Sequence, residues 1–219
     1  MNLNKYIDHT LLKPEATKAQ IIKLCQEAKE FNFATVCVNP YWVSLAQEQL
    51  KNTEIGITTV IGFPLGANSK TVKAFETSEA LKMGATEIDM VMNIGALKSQ
   101  QFDVVLEDMK AVKAAAPNNV VKVILETCLL TQDEIIKACQ LALEAKLDFV
   151  KTSTGFSTAG ATLENVKLMK QTVKNQAKVK AAGGVRNLDD AIKMIEAGAD
   201  RLGTSGGVQI VEGKINENY

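Results

Sequence analysis

Two lysines and an aspartate stand where an apolar strand pattern leaves no ordinary place for charge. Asp89 interrupts Ile88-Asp89-Met90-Val91, Lys151 follows Phe149-Val150, and Lys180 lies within Lys178-Val179-Lys180-Ala181-Ala182. Charge in such surroundings is costly unless paired, so these residues are either functional or members of an ion network. A pair of lysines points to one chemistry in particular. An amine that attacks a carbonyl to form a Schiff base must be neutral, whereas a free lysine at neutral pH is almost wholly protonated. A second ammonium nearby and a desolvating pocket both favour the neutral form. Lys180 would thus activate Lys151, or the reverse; spacing alone does not choose. Asp89, aided by water or by the second lysine, would move protons as carbinolamine and iminium interconvert. The competing account is a buried Asp–Lys network that only fills space.

Such side chains need a frame that gathers them. Short β-rich runs occur at Tyr6–Thr10, Phe33–Val38, Gly56–Ile61, Glu87–Met92, Val120–Glu126, Phe149–Ser153, Lys178–Ala182 and Asp200–Thr204. Amphipathic stretches lie between them, among them Lys18–Phe31, Thr71–Met83, Phe102–Ala116, Gln132–Ala145 and Leu163–Lys174. In the last, Leu163, Val166, Leu168, Met169 and Val173 have the three-to-four-residue spacing of a helix covering a sheet. One phrase recurs: helix end, Gly-Ala, an acidic residue, apolar strand. It is seen in Met83-Gly84-Ala85-Thr86-Glu87-Ile88 and Ala197-Gly198-Ala199-Asp200-Arg201-Leu202, and in Glu144-Ala145-Lys146-Leu147-Asp148-Phe149 with the glycine lost. Glycine there supplies a left-handed helix cap. Eight such strands alternating with helices in 219 residues predict an α/β fold, a single-domain (β/α)8 TIM barrel over residues 1–219. A doubly wound open sheet is the alternative. In a barrel, functional residues collect at the carboxyl ends of the strands.

Those ends supply a second set of groups. Ala182-Gly183-Gly184-Val185-Arg186 follows the seventh run, and Leu202-Gly203-Thr204-Ser205-Gly206-Gly207 the eighth. Loops after the last two strands of such barrels often hold phosphate on backbone N–H groups, and Gly155 would extend the cradle. Asp8 ends the first run and would position a lysine or water; His9 reads as a packed or capping residue. Glu126 is a supporting partner or a rim charge. Lys122 shares its strand parity, so an internal Lys122–Glu126 salt bridge is expected. Cys37 would line the pocket without a base to activate it.

Bulk properties exclude several classes. Lysine plus arginine equals aspartate plus glutamate at 25 each, so no net charge attracts nucleic acid or an anionic membrane. No apolar run reads as a signal peptide or membrane span, and the expected location is cytoplasmic. Cys25, Cys37, Cys128 and Cys139 include no Cys-x-x-Cys pair and read as reduced, buried side chains, and one histidine joins them in no zinc pattern. The polar end Gly213-Lys214-Ile215-Asn216-Glu217-Asn218-Tyr219 reads as a mobile tail over 213–219.

Six segments carry a resemblance that covers residues 5 to 212. Ile7-Asp8-His9-Thr10-Leu11-Leu12-Lys13-Pro14, Val36-Cys37-Val38-Asn39-Pro40, Val60-Ile61-Gly62-Phe63-Pro64-Leu65-Gly66, Glu87-Ile88-Asp89-Met90-Val91, Lys151-Thr152-Ser153-Thr154-Gly155-Phe156 and Lys180-Ala181-Ala182-Gly183-Gly184-Val185-Arg186 resemble, in order, deoxyribose-phosphate aldolase. The resemblance implies a class I aldolase on a (β/α)8 barrel, with no metal and no organic cofactor. Such an enzyme cleaves 2-deoxy-D-ribose 5-phosphate reversibly into D-glyceraldehyde 3-phosphate and acetaldehyde, in the breakdown of deoxyribose phosphate. By that match Lys151 forms the Schiff base, Lys180 and Asp89 transfer protons, and Asp8 supports the second lysine. The phosphate falls to Gly155, Gly183, Gly184 and Ser205, with Gly206 offering a backbone N–H where many relatives carry a second serine. Tyr219 becomes a candidate contact over the site, and a homodimer is the expected assembly. Another Schiff-base aldolase and a non-catalytic phosphate-binding barrel are the alternatives.

Overall fold

Eight parallel strands pair in sequence order and close on themselves, β8 returning to β1. The computed structural model describes residues 2–214. Its strands are β1 Ile7–Leu11, β2 Thr35–Val38, β3 Gly56–Ile61, β4 Glu87–Val91, β5 Val120–Ile124, β6 Phe149–Lys151, β7 Lys178–Ala182 and β8 Arg201–Thr204. The helices are α1 Lys18–Phe31, α2 Val43–Gln49, α3 Lys70–Lys82, α4 Ile94–Lys98, α5 Phe102–Ala115, α6 Gln132–Glu144, α7 Leu163–Val173, α8 Leu188–Glu196 and α9 Gly207–Val211. The barrel is therefore closed, and the open-sheet alternative falls.

Local chemistry sets the boundaries. Thr17 and Thr131 open α1 and α6 with complete capping boxes, each side chain accepting the N–H three residues on while Gln20 or Glu134 reaches back. The recurring helix-to-strand phrase is one hydrogen-bond motif used three times. After α3, Gly84 N–H donates to Leu81 O and Ala85 N–H to Ala80 O; after α8, Gly198 and Ala199 do the same to Ile195 and Met194. The copy without glycine keeps both bonds, and Lys146 takes the left-handed conformation itself at φ 56°.

Two strands stop two residues before the pattern suggested. The sixth stops at Lys151 because the hydroxyl of Thr152 takes over the pairing, donating to Ala182 O and accepting from Ala182 N–H. The fifth stops at Ile124, and Glu126 sits in a left-handed turn at φ 57°. Helices α2, α4, α8 and α9 add to the five stretches picked out by periodicity.

Alternation along the strands sorts the residues into two environments. Val36, Val38, Ile57, Ile61, Ile88, Met90, Val121, Val123, Val150, Val179 and Leu202 join the helices in the main apolar core. The opposite parity carries Asp8, Thr35, Thr58, Asp89, Lys122, Lys151 and Lys180, all buried. The interior of the barrel thus holds a cluster of buried charges beside apolar residues such as Cys37, Val60 and Val91, and those charges must satisfy one another.

Candidate active site

Asp89, on β4, is the hub of that interior. Its Oδ2 accepts from Lys151 Nζ of β6 at 2.9 Å and from Lys180 Nζ of β7 at 2.8 Å; its Oδ1 accepts from Lys122 Nζ of β5 at 2.9 Å. Lys180 also pairs with Asp8 Oδ2 of β1 at 2.5 Å. Arg201, at the start of β8, reaches Asp8 Oδ1 at 2.5 Å and Glu87 Oε1 at 3.4 Å, and Lys122 closes the circuit on Glu87 Oε2 at 2.5 Å. Thr35 donates to Asp8 Oδ1 at 2.8 Å.

The expected Lys122–Glu126 bridge is not formed. Four residues along a strand span roughly 13 Å, while adjacent strands lie about 4.8 Å apart, so cross-strand carboxylates win. Glu126 leaves the strand and instead takes the backbone N–H of Thr154 at 3.2 Å and, through Oε2, its hydroxyl, clamping the segment that follows Lys151.

Four cations, Lys122, Lys151, Lys180 and Arg201, thus face three carboxylates, Asp8, Glu87 and Asp89. The network balances when one amine gives up its proton. Burial works against the charge on every member, and the neighbours decide the outcome. For Lys151, burial and the Lys180 ammonium together outweigh Asp89, and its pKa is lowered. For Lys180, burial is overcome by Asp8 and Asp89, and its pKa is raised. Lys122 is raised likewise, with Asp89 the main opposing charge. Burial would lift Asp89, but its three lysines hold it well below the usual carboxylate range. Asp8 is held low by Lys180 and Arg201 against the same penalty. The two lysines thus differ in charge preference: their neighbours push the pKa of Lys180 up and leave that of Lys151 lowered.

Access separates them too. A cavity of about 310 Å³ opens at the carboxyl ends of β6, β7, β8 and β1, lined by Lys151, Thr154, Gly155, Gly183, Ser205 and neighbouring residues. Lys180 and Asp89 lie beneath it, fully buried. Of the expected phosphate contacts, Gly155, Gly183 and Ser205 line the cavity, whereas Gly184 and Gly206 do not. The N–H of Gly206 already donates to Thr204 Oγ1 at 3.0 Å. Cys37 packs with Leu12 and Val60 rather than lining the cavity, and burial pushes its thiol up. Cys128 departs from the buried expectation: it is half-buried, its Sγ 3.3 Å from Ser157 Oγ. His9 is packed as expected, against Phe33 and on Glu27 at 2.7 Å. Tyr219 and residues 215–218 lie outside the described residues; Gly213 and Lys214 close α9, Lys214 N–H donating to Gln209 O at 2.7 Å.

Sequence reasoning missed Lys122 as a partner of Asp89, Glu87 and Arg201 as members of the surrounding network, and Gly160. A Cβ on Gly160 would lie 2.4 Å from the carbonyl carbon of Gly183, so the loops after β6 and β7 touch backbone to backbone. Among the described residues, no helix is long and apolar enough to cross a membrane, and no group of three or more His, Cys, Asp or Glu side chains is placed to hold a metal ion.

The chain is similar to known proteins along nearly its whole length. The model of the DeoC/LacD family of aldolases matches residues 3–213. The chain is 68% identical over 216 residues to deoxyribose-phosphate aldolase 1 of Mesoplasma florum, covering 99% of this chain and 98% of that one. It is 61% identical over 213 residues to deoxyribose-phosphate aldolase of Streptococcus suis, covering 97% of each. Among solved structures, a tetrameric deoxyribose phosphate aldolase from Aeropyrum pernix superposes with a TM-score of 0.89 at 34% identity, over 96% of this chain and 89% of that one. An aldolase described as QR15 superposes at 0.92 with 47% identity, over 96% and 94%.

Proposed function

The chain belongs to the DeoC/LacD family of aldolases, carbon–carbon lyases, and on that premise we propose that it cleaves 2-deoxy-D-ribose 5-phosphate reversibly into D-glyceraldehyde 3-phosphate and acetaldehyde through a Schiff base on Lys151. The observation that carries the assignment is that Lys151 combines a lowered pKa with a place on the cavity wall, while Lys180 has neither.

The neutral Lys151 amine adds to the C1 aldehyde of the open-chain sugar, and loss of water from the carbinolamine leaves a protonated iminium. A base then takes the proton of the C3 hydroxyl. The C2–C3 bond breaks with its electron pair moving into the enamine, and C3 departs as the aldehyde of glyceraldehyde 3-phosphate. Protonation at C2 and addition of water release acetaldehyde and return the amine. Asp89 and Lys180 serve the proton transfers, the carboxylate through water, because the Lys122 and Lys180 ammoniums beside it weaken it as a base. Asp8 holds Lys180 charged. No step requires a metal or organic cofactor.

The test is a product assay with 2-deoxy-D-ribose 5-phosphate, and in reverse with glyceraldehyde 3-phosphate and either acetaldehyde or dihydroxyacetone phosphate as donor. Acetaldehyde is the expected donor, and Lys151→Leu abolishes turnover while keeping the fold. Preference for dihydroxyacetone phosphate transfers the substrate to another Schiff-base aldolase; binding without cleavage reduces the barrel to a phosphate-metabolite receptor.

A further inference from the structure

The glycine loops offer the phosphate N–H groups and one hydroxyl, but a dianion in a cavity also needs charge. Of the residues lining the cavity, two are cationic, Lys13 and Lys151. Lys151 is held on Asp89 and is committed to the carbonyl end of the sugar. The lining stretches of the other loops carry no cation: Thr154-Gly155-Phe156 after β6, Ala182-Gly183 at the end of β7, and Gly203-Thr204-Ser205 at the end of β8. On the β6 side the wall is aromatic, with Phe156 packed edge-on against Phe63 at 5.2 Å.

Lys13 lies on the loop between β1 and α1. Barrel closure pairs β1 with β8, which sets this loop beside Ser205. Its backbone is fixed on both sides: Leu12 is buried against Cys37 and Val60, Asn39 Nδ2 donates to Leu12 O at 2.9 Å, and Lys13 O accepts from Ala16 N–H at 3.1 Å. The side chain is exposed, and among the described residues its ammonium has no hydrogen-bond or ion-pair partner. A cation on a fixed loop, unpaired among the described residues and lining the same cavity as a neutral phosphate cradle, is the arrangement expected of a group awaiting an anion.

We propose that Lys13 supplies the counter-charge for the substrate phosphate and thereby sets the preference for phosphorylated over unphosphorylated sugars. The inference rests on the aldolase reading above. It makes phosphate selectivity the property of a residue on the β1 side of the mouth, separate from the amines that do the chemistry.

The test compares Lys13→Met, which keeps the aliphatic stem, with Lys13→Arg, which keeps the charge. For each, kcat/KM is measured with 2-deoxy-D-ribose 5-phosphate and with 2-deoxy-D-ribose. A charge-assisted contact predicts that the phosphorylated-to-unphosphorylated ratio falls about tenfold to a hundredfold in Lys13→Met, mainly through KM, and stays within about threefold of wild type in Lys13→Arg. A ratio in Lys13→Met within about threefold of wild type overturns the proposal, whether the two rates fall together or not at all. Binding of inorganic phosphate by calorimetry is measured in parallel, because it needs no turnover. If the aldolase reading fails, wild type itself does not cleave the sugar; if the Lys13 inference fails, wild type cleaves it and Lys13→Met binds phosphate as wild type does.

Discussion

Lys151 and Lys180 are register partners on adjacent strands and donate to the same oxygen, Oδ2 of Asp89, at 2.9 and 2.8 Å. One carboxylate oxygen between two ammoniums ties the protonation of each lysine to that of the other. Asp8 and Asp89 together stabilise the charge on Lys180, whereas Lys151 has Asp89 alone and borders the cavity. The asymmetry gives two chemically identical side chains different tasks.

Replacing Lys180 with Met tests that coupling. It removes a nearby ammonium and leaves Asp89 Oδ2 to Lys151 alone, and both changes raise the pKa of Lys151. The attacking form is the free amine, so activity rises with pH through that pKa. The acid limb of the kcat/KM profile is expected to move to higher pH by on the order of one unit, with at least tenfold less turnover at neutral pH. An unmoved limb would show that Lys180 does not tune Lys151.

Gly160→Ala addresses the contact between the loops that frame the cavity. Its methyl would fall 2.4 Å from Gly183 backbone, which has no side-chain freedom with which to yield. The loops must part, with an expected loss of about 1–3 kcal/mol in urea unfolding and a raised KM for the sugar phosphate. Wild-type stability and KM in this variant would mean that the close approach is not needed.

A second buried ion pair lies outside the barrel. Lys73 of α3 meets Asp108 of α5 at 2.5 Å and Val91 O at 2.8 Å. Burial lowers the Lys73 pKa and raises that of Asp108 in spite of their pairing, so desolvation outweighs attraction on both sides. Lys73→Met alone is expected to cost about 3–5 kcal/mol by stranding the carboxylate, while Lys73→Met with Asp108→Leu recovers most of that loss. Urea denaturation of the three proteins decides it; equal losses in single and double variants would contradict the desolvation argument.

Much of the site was legible because charge in an apolar strand is anomalous wherever it occurs, which singled out Asp89, Lys151 and Lys180 without a structure. Their neighbours were not. Asp8 finds Lys180 and Arg201 only because β8 closes on β1, a contact between the two ends of the chain that no local pattern encodes. Lys122 was assigned to the correct face but to a partner on its own strand, since parity says which way a side chain points and not which strand stands opposite. Gly160 carried no signal, because its role arises from another loop passing within van der Waals contact. The fold was legible through repetition: three copies of one cap motif imply many helix-to-strand returns, and eight strands in this length close a barrel.

Reductive trapping bears most directly on the central claim. The protein is incubated with 2-deoxy-D-ribose 5-phosphate and borohydride, digested, and mapped by mass spectrometry. The predicted result is a reduced adduct on Lys151, N-ethyl where trapping follows cleavage, with parallel loss of activity. An adduct on Lys180 or another lysine, or full activity with no adduct, would contradict it.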